Sequence, residues 1–342
     1  MSTIGNESPV EATRPSDVSI GRKLFDVRTV VSLAIGLVIL LFGLSRLQVN
    51  LQETLRVMGT ANWRLLIAAL VVYYATFPIR ALRWRGMLQN AGCRSDEIPG
   101  VPRLAEIIYL SWFANSVVPA KLGDVYRAYL LRQQSKVPFS KAGGTIVAER
   151  LIDLAVLLVL LGASGLLSFR GVLPGTVLTV LEIGSALVVL AGLAFLGMRQ
   201  LDPIVRRLVP ARLQGIYGHF HEGVLGSFGG YHWLIGLTAL SWLAESGRLL
   251  LVTQSVGLVL SPNVAVNFLM VVFIALGSAL LTAPPGTPAG LGYVEASIVY
   301  VLALLGAPQS YALSVALLDR SISFLSLIVG GLIVYVVSQR RG

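Results

Sequence analysis

Two pairs of opposite charge stand inside long apolar runs of this 342-residue chain. Glu245 and Arg248 lie three apart in the run 231–256, so a helix places both on one face. Asp319 and Arg320 adjoin in the run 309–338. Glu149, Arg150 and Asp153 stand near the start of a third run, and Asp124, Arg127 and Glu295 each follow a Pro-Ala-x-Leu-Gly turn. A charge at the bilayer centre costs at least about 2.5–3.5 kcal/mol, so it normally faces an interior cavity and has a partner. A guanidinium offers a phosphate two parallel hydrogen bonds. Arg127, Arg150, Arg248 and Arg320 are therefore candidates to hold an anion. Asp124, Glu149, Asp153, Glu245, Glu295 and Asp319 would balance them, or bind a cationic group or a coupling proton. A place at the membrane interface suits Glu149-Arg150 and Asp124-Arg127 equally well. Arg80, Arg83 and Arg85 read as topology and headgroup anchors, with Arg80 alone, inside its apolar run, also a candidate to face a cavity.

The turns themselves repeat. Pro119-Ala120-Lys121-Leu122-Gly123-Asp124-Val125 recurs as Pro288-Ala289-Gly290-Leu291-Gly292-Tyr293-Val294, with five of seven residues identical. Each copy follows an Arg in an apolar helix (Arg80, Arg248) and precedes an acid-Arg pair (Glu149-Arg150, Asp319-Arg320) in the same order and at similar spacing. This suggests an internal duplication. Proline ends a helix by removing a donor and clashing with the preceding turn; glycine permits tight turns and close backbone approach. Non-helical backbone at membrane depth survives only when buried in protein or lining a wet cavity. Helices starting near Gly123 and Gly292 would aim free N–H groups at that cavity and favour anions. Pro119, Gly123, Pro288 and Gly292 thus join the candidate binding positions. Simple kinks or ordinary loops at the membrane surface are the other reading. Paired broken segments in matching positions are the best sequence pointer to a transport site.

Composition sets the class. With 55% hydrophobic and 13% charged residues, the chain is a polytopic membrane protein; soluble domains are nearer a quarter charged. The net charge of +10 fits cytoplasmic loops and anionic headgroups, and no nucleic-acid partner is expected. Cys93 is the only cysteine, so a disulfide framework is excluded. His219-x-His221 lacks further ligands nearby and reads as a surface feature. No phosphate-cradling Gly-x-x-x-x-Gly-Lys loop appears, and neither Gly-x-Ser-x-Gly nor His-Glu-x-x-His. The expectation is a non-enzyme without metal or cofactor.

The elements that must position these residues follow from hydropathy. The tail 1–26 is polar and expected to be disordered and cytoplasmic; 27–342 forms one transmembrane domain. Helices are expected at 27–47, 63–84, 144–168, 177–198, 231–256 and 309–338. Between them come two broken hairpins, 103–118 with 123–133, and 263–283 with 289–306. A basic stretch, 199–229, is expected on the membrane surface. The fold class is all-α: about six spanning helices plus two re-entrant hairpins, in repeats at about 63–168 and 231–338. Placing the basic segments 80–103, 121–141 and 199–212 and the C-terminal arginines in the cytoplasm orients the two repeats oppositely; Arg46, Arg56 and Arg64 fit this scheme less well. Both termini are then cytoplasmic, at the plasma membrane. The Gly330-Gly331 and 162–165 patches read as helix packing.

The order Asn115, Pro119-Ala-Lys-Leu-Gly-Asp124, Arg127, Glu149-Arg150-Leu-Ile-Asp153, Pro288-Ala-Gly-Leu-Gly, Glu295 and Asp319-Arg320 resembles the lysylphosphatidylglycerol synthase transmembrane region family, also called the flippase-like domain or UPF0104 family. The likeness runs from about residue 28 to near the end. The chain has Asp124 where the family usually has Glu, and Ala289 where it usually has Gly. In the best-known members this region resembles a flippase for aminoacylated phosphatidylglycerol, fused to a cytosolic domain that uses aminoacyl-tRNA. Ending at Gly342, this chain leaves no room for such a domain, so the resemblance implies lipid translocation and not lipid synthesis. Other members stand alone or near glycosyltransferases of cell-envelope assembly. The expected function is movement of an anionic or aminoacylated phospholipid, or a lipid-linked precursor such as a polyprenyl phosphate, between leaflets by alternating access. The alternative is an accessory subunit or membrane enzyme in lipid or envelope-glycan assembly, beside a lipid-modifying or glycosyltransferase partner.

Overall fold

The structure is a computed structural model that describes residues 38, 50–117, 122–169, 175–280 and 288–339. Tail 1–26, the expected helix 27–47 apart from residue 38, and Pro119 lie outside the described residues. Twelve α-helices make up the described part, and no strand occurs among the described residues. They are α1 (Leu51–Gly59), α2 (Trp63–Asn90), α3 (Val101–Val117), α4 (Leu122–Gln134), α5 (Phe139–Ser168) and α6 (Gly175–Leu208). α7 (Ala211–Gly226), α8 (Tyr231–Ser255), α9 (Val264–Leu280), α10 (Tyr293–Leu304), α11 (Gln309–Arg320) and α12 (Ser326–Gln339) complete them.

Four stretches are long and apolar enough to cross a bilayer: α2, α5, α8 and the continuous run Gln309–Val336 through α11 and α12. Counted as one span, the bent pair Glu182–Ala194 and Gly197–Leu208 of α6, which meet at 48°, makes a fifth. The four spans flank the two broken hairpins in the order expected. The hairpin helices are shorter: 17 residues in α3 and α9, 13 in α4 and 12 in α10.

Local chemistry accounts for the boundaries. Asn62 caps α2 by accepting from the Arg64 amide at 3.1 Å. α2 continues to Asn90, past the expected end at 84, and closes when the Cys93 amide bonds the Leu88 carbonyl. α8 closes the same way, Leu258 amide to Thr253 carbonyl. α5 starts at Phe139 and not at 144, because Pro138 supplies the N-cap position, where its missing donor is harmless. The stretch 199–229 is not one surface element. Its first part prolongs α6, Pro210 breaks it, and α7 docks on α5. That docking is close: a Cβ on Gly223 would strike the Lys141 carbonyl, and one on Gly144 would strike the Phe220 carbonyl. The last helix is also not α-helical throughout. Ser321–Leu325 forms one π-helical turn immediately after Arg320. The short α1 was not expected, although Asn50 and Glu53 spell its start; the Asn50 side chain accepts from the Glu53 amide.

α2 and α8 lie along each other at the centre, and each half reaches into the other. α3 packs on α12, and α9 packs on α5. The α3–α12 contact is close, since Gly330 and Gly331 admit the Tyr109 and Phe113 rings. The main apolar core runs through Tyr73, Phe77, Trp84, Ile107, Phe113, Leu131, Ile298 and Leu313.

Candidate functional site

α2 carries Arg83 into the interior, where the residue is wholly buried. Glu149 and Asp153 stand four apart on α5 and so share one face. Arg83 Nη2 lies 2.7 Å from Glu149 Oε1, and Nη1 lies 2.5 Å from Asp153 Oδ1. The same Nη1 donates to Thr238 Oγ1 of α8 at 2.7 Å. The second oxygen of Glu149 takes Arg127 Nη2 of α4 at 2.9 Å. Arg127 lies over the Trp84 ring, 3.8 Å from its centroid, and Trp84 Nε1 donates to Thr145 Oγ1 at 3.0 Å. Four helices thus converge on one carboxylate pair.

The second half builds a parallel cluster. Arg248 of α8 donates to the Asp319 carboxylate of α11 and, at 3.3 Å, to its carbonyl. It also lies 3.2 Å from Glu245 Oε2, one turn earlier on its own helix. Arg80 of α2 comes within 3.4 Å of Glu245 Oε1. The π turn leaves carbonyls to other donors: Tyr73 Oη donates to Ser323 O at 2.9 Å and Ser326 Oγ to Ile322 O.

One connection pattern recurs. In each half, the acid of the acid-Arg pair takes an Arg from the span before the hairpin: Glu149 takes Arg83, and Asp319 takes Arg248. In each half, the Arg of the pair binds an acid in the first turn of the helix after the break. Arg150 grips Asp124 through two bonds of 2.7 and 3.1 Å. Arg320 Nε reaches Glu295 Oε1 at 2.7 Å, and its Nη2 reaches the Ala289 carbonyl at 3.1 Å. Adjacent residues on a helix point about 100° apart, so the pair ties its span to two different neighbours.

The helix starts are occupied from within. The Gly123 amide donates to Asn115 Oδ1 at 2.8 Å. A Cβ on Gly123 would overlap the Ser111 carbonyl and the Asn115 side chain, which explains the glycine there. The Gly292 amide donates to Glu295 Oε2 at 2.7 Å, with Gly292 at φ +87°. At both helix starts the expected free amide is therefore bonded to a side chain of this chain, and at α10 that side chain is a carboxylate. Pro288 opens a single 3₁₀ turn, Pro288–Gly290, in which Ala289 takes φ +47°.

Each of Arg127, Arg150, Arg248, Arg320, Asp124, Glu149, Asp153, Glu245, Glu295 and Asp319 is in an ion pair, with Arg80 and Arg83 completing the set. Arg83 is not the headgroup anchor expected of it: it holds Glu149 and Asp153. Its signal was available, since it lies one turn after Arg80 on the same face. The pair Arg150–Asp124 is the most open, with side chains 46% and 23% exposed. His221 lies 3.5 Å from Asp202 and ties α6 to α7. No group of three or more His, Cys, Asp or Glu residues suited to a metal occurs among the described residues.

Residues 29–331 match the family described as lysylphosphatidylglycerol synthase TM region. A UPF0104 membrane protein of Methanocaldococcus jannaschii is 34% identical over 230 residues, covering 67% of this chain and 95% of that protein. A UPF0104 membrane protein of Methanothermobacter thermautotrophicus is 26% identical, covering 79% of this chain and 82% of that protein. Glycosyltransferase AglD of Haloferax volcanii is 28% identical over 89% of this chain, which spans about half of that protein, 54%. The chain belongs to the lysylphosphatidylglycerol synthase TM region family and is a membrane protein.

Proposed function

We propose that this protein is a lipid flippase, moving a phosphate-bearing lipid between leaflets by alternating access. The observation that carries the reading is the set of buried ion pairs, repeated in two halves around two broken hairpins. Replacing a buried ion pair by well-packed apolar residues is often neutral or stabilising. A chain so rich in apolar residues has no packing need for these charges. As exchangeable partners they have a use, because a headgroup phosphate can displace a carboxylate from Arg, and a headgroup amine can displace Arg from a carboxylate. In this reading the two hairpins are re-entrant, the two repeats are inverted in the plasma membrane and both termini are cytoplasmic. Rocking of one repeat on the other, with α2 and α8 as the shared axis, would open the clusters to each side in turn. The protein performs no bond chemistry in this reading.

The test is leaflet translocation of labelled lipids in proteoliposomes. Anionic, aminoacylated and polyprenyl-phosphate lipids would be compared in wild type, Arg248→Ala and Arg320→Ala. Faster translocation of one class, lost in folded variants, is expected. No acceleration of any class would sink the proposal.

A second reading has one specific support: the relative named glycosyltransferase AglD. In that reading the chain is an accessory membrane subunit, or a membrane enzyme, in lipid or envelope-glycan assembly. Arg320→Ala would then alter a partner's stability or activity and leave translocation at the protein-free rate.

A further inference from the structure

The membrane arginines differ in how many of their donors are used. Arg83 spends both Nη atoms on three acceptor side chains. Arg150 and Arg320 each make two bonds through Nε and Nη2. Arg248 engages both Asp319 and Glu245. Arg127 and Arg80 are different. Arg127 is 2% exposed and makes one hydrogen bond, to Glu149; Arg80 is 3% exposed and makes one contact of 3.4 Å, to Glu245. The Nε of each, like that of Arg83, is buried without a hydrogen-bond partner among the described residues, so what sets Arg80 and Arg127 apart is that their other donors meet one acceptor where those of Arg83 meet three. Arg85 Nε is also without one, but Arg85 is only half-buried and sits on another side of α2.

A charged donor left buried and unpaired is costly, so two arginines with a single acceptor each, one on α2 and one on α4, call for an explanation. Both guanidiniums are backed by indoles. Arg127 lies over Trp84 at 3.8 Å, and Arg80 over Trp112 at 4.6 Å and Trp242 at 5.8 Å. An aromatic face stabilises the cation from above and leaves its in-plane N–H edge open, which is the edge that a phosphate takes. Arg80 and Trp84 are one turn apart on α2, so Arg80 and the ring beneath Arg127 share one helix face.

We infer that Arg80 and Arg127 are the arginines that yield to the phosphodiester of the substrate, one in each cluster, while Arg83, Arg150, Arg248 and Arg320 hold the surrounding carboxylates in place. This assignment rests on the flippase reading and narrows it to two arginines. The carboxylates Glu149 and Glu245 each give their weak partner, Arg127 and Arg80, over to the phosphate while keeping Arg83 and Arg248.

The experiment titrates the full-length protein in detergent with dihexanoylphosphatidylglycerol, following the fluorescence of tryptophans that back the site. Dihexanoylglycerol lacks the phosphate, and glycerophosphoglycerol lacks the acyl chains. Arg80→Gln and Arg127→Gln are each expected to weaken phosphatidylglycerol binding by about 10- to 100-fold, the equivalent of one lost charge-assisted contact. Arg94→Gln, on an exposed loop, is expected to bind as wild type. Phosphate dependence with loss of affinity for glycerophosphoglycerol marks a lipid site; equal affinity for it marks a site for free phosphodiesters, with the same two arginines. Should a Gln variant fail to fold, Arg80→Lys and Arg127→Lys decide, because they keep the charge and lose the fork. Folded variants with wild-type affinity overturn the site, and if wild type still translocates lipid the flippase reading survives. Wild type binding dihexanoylglycerol as well as phosphatidylglycerol overturns both.

Discussion

Arg83 closes a two-point contact with Asp153, Nη1 to Oδ1 at 2.5 Å and Nη2 to Oδ2 at 3.3 Å, across 70 residues of chain. Through it α2 is joined to α5 inside the bilayer-length part of both helices.

This contact predicts that Arg83→Leu is among the most damaging single changes. It leaves Glu149 and Asp153 with less compensation, at a cost of about 3–5 kcal/mol. Adding Glu149→Gln and Asp153→Asn removes the stranded charges and should restore much of the loss. Thermal unfolding in detergent of the single and triple variants checks this. A triple variant no more stable than the single one would contradict it.

The two pairs that follow the breaks should differ in worth. Arg150–Asp124 is partly exposed, and such pairs contribute about 0.2–1 kcal/mol. Glu295 is buried, and it holds both Arg320 and the Gly292 amide. Glu295→Gln should therefore lower the melting temperature several times more than Asp124→Asn. Equal shifts would show that the second hairpin is not held by Glu295.

Ala289 at φ +47° and Gly123 at its close contact give opposite expectations. Ala289→Gly removes a left-handed alanine and should leave stability unchanged or raise it by up to about 1 kcal/mol. Gly123→Ala forces α3 and α4 apart and should cost about 1–3 kcal/mol. Melting temperatures of the two variants read both signs; a stabilised Gly123→Ala would refute the packing argument.

Lys141 donates to Glu222 at 2.7 Å and holds its carboxyl below the ordinary value of 4.5. A lowered carboxylate pKa stabilises the fold above the unfolded value, and this is lost as pH falls through the folded value. The Lys141–Glu222 contribution to docking of α7 on α5 should thus be fully present above pH 4.5 and be lost as pH falls below it. The effect is small because Glu222 is half exposed. Limited proteolysis near Pro210 above and below that pH reads it, and Glu222→Gln should abolish the difference.

Much of the architecture was legible because it depends on local pattern. Apolar length set the spans α2, α5 and α8, and Pro-Ala-x-Leu-Gly marked both hairpins. The cost of membrane charges singled out Asp319, Arg320, Glu245 and Arg248 before any partner was known. Helix ends were less legible. α2 outran its apolar run because its last two turns are stabilised by burial of Met87 and Leu88. α7 docks by a contact between glycines that carries no hydropathy signal.

By itself, the sequence determined that this chain crosses a membrane, breaks twice in the same way, and carries charges that must find partners. It could not say which partners. Glu149 takes Arg83 from 66 positions away, and Asp319 takes Arg248 from 71. Those choices depend on where helices cross and how far each slides along its neighbour, set by contacts such as Gly331 on Phe113. Only the tertiary structure decided that Arg83 meets three acceptor side chains while Arg80 and Arg127 meet one each. Saturation of a guanidinium is a property of its whole surroundings, and no window of sequence contains them.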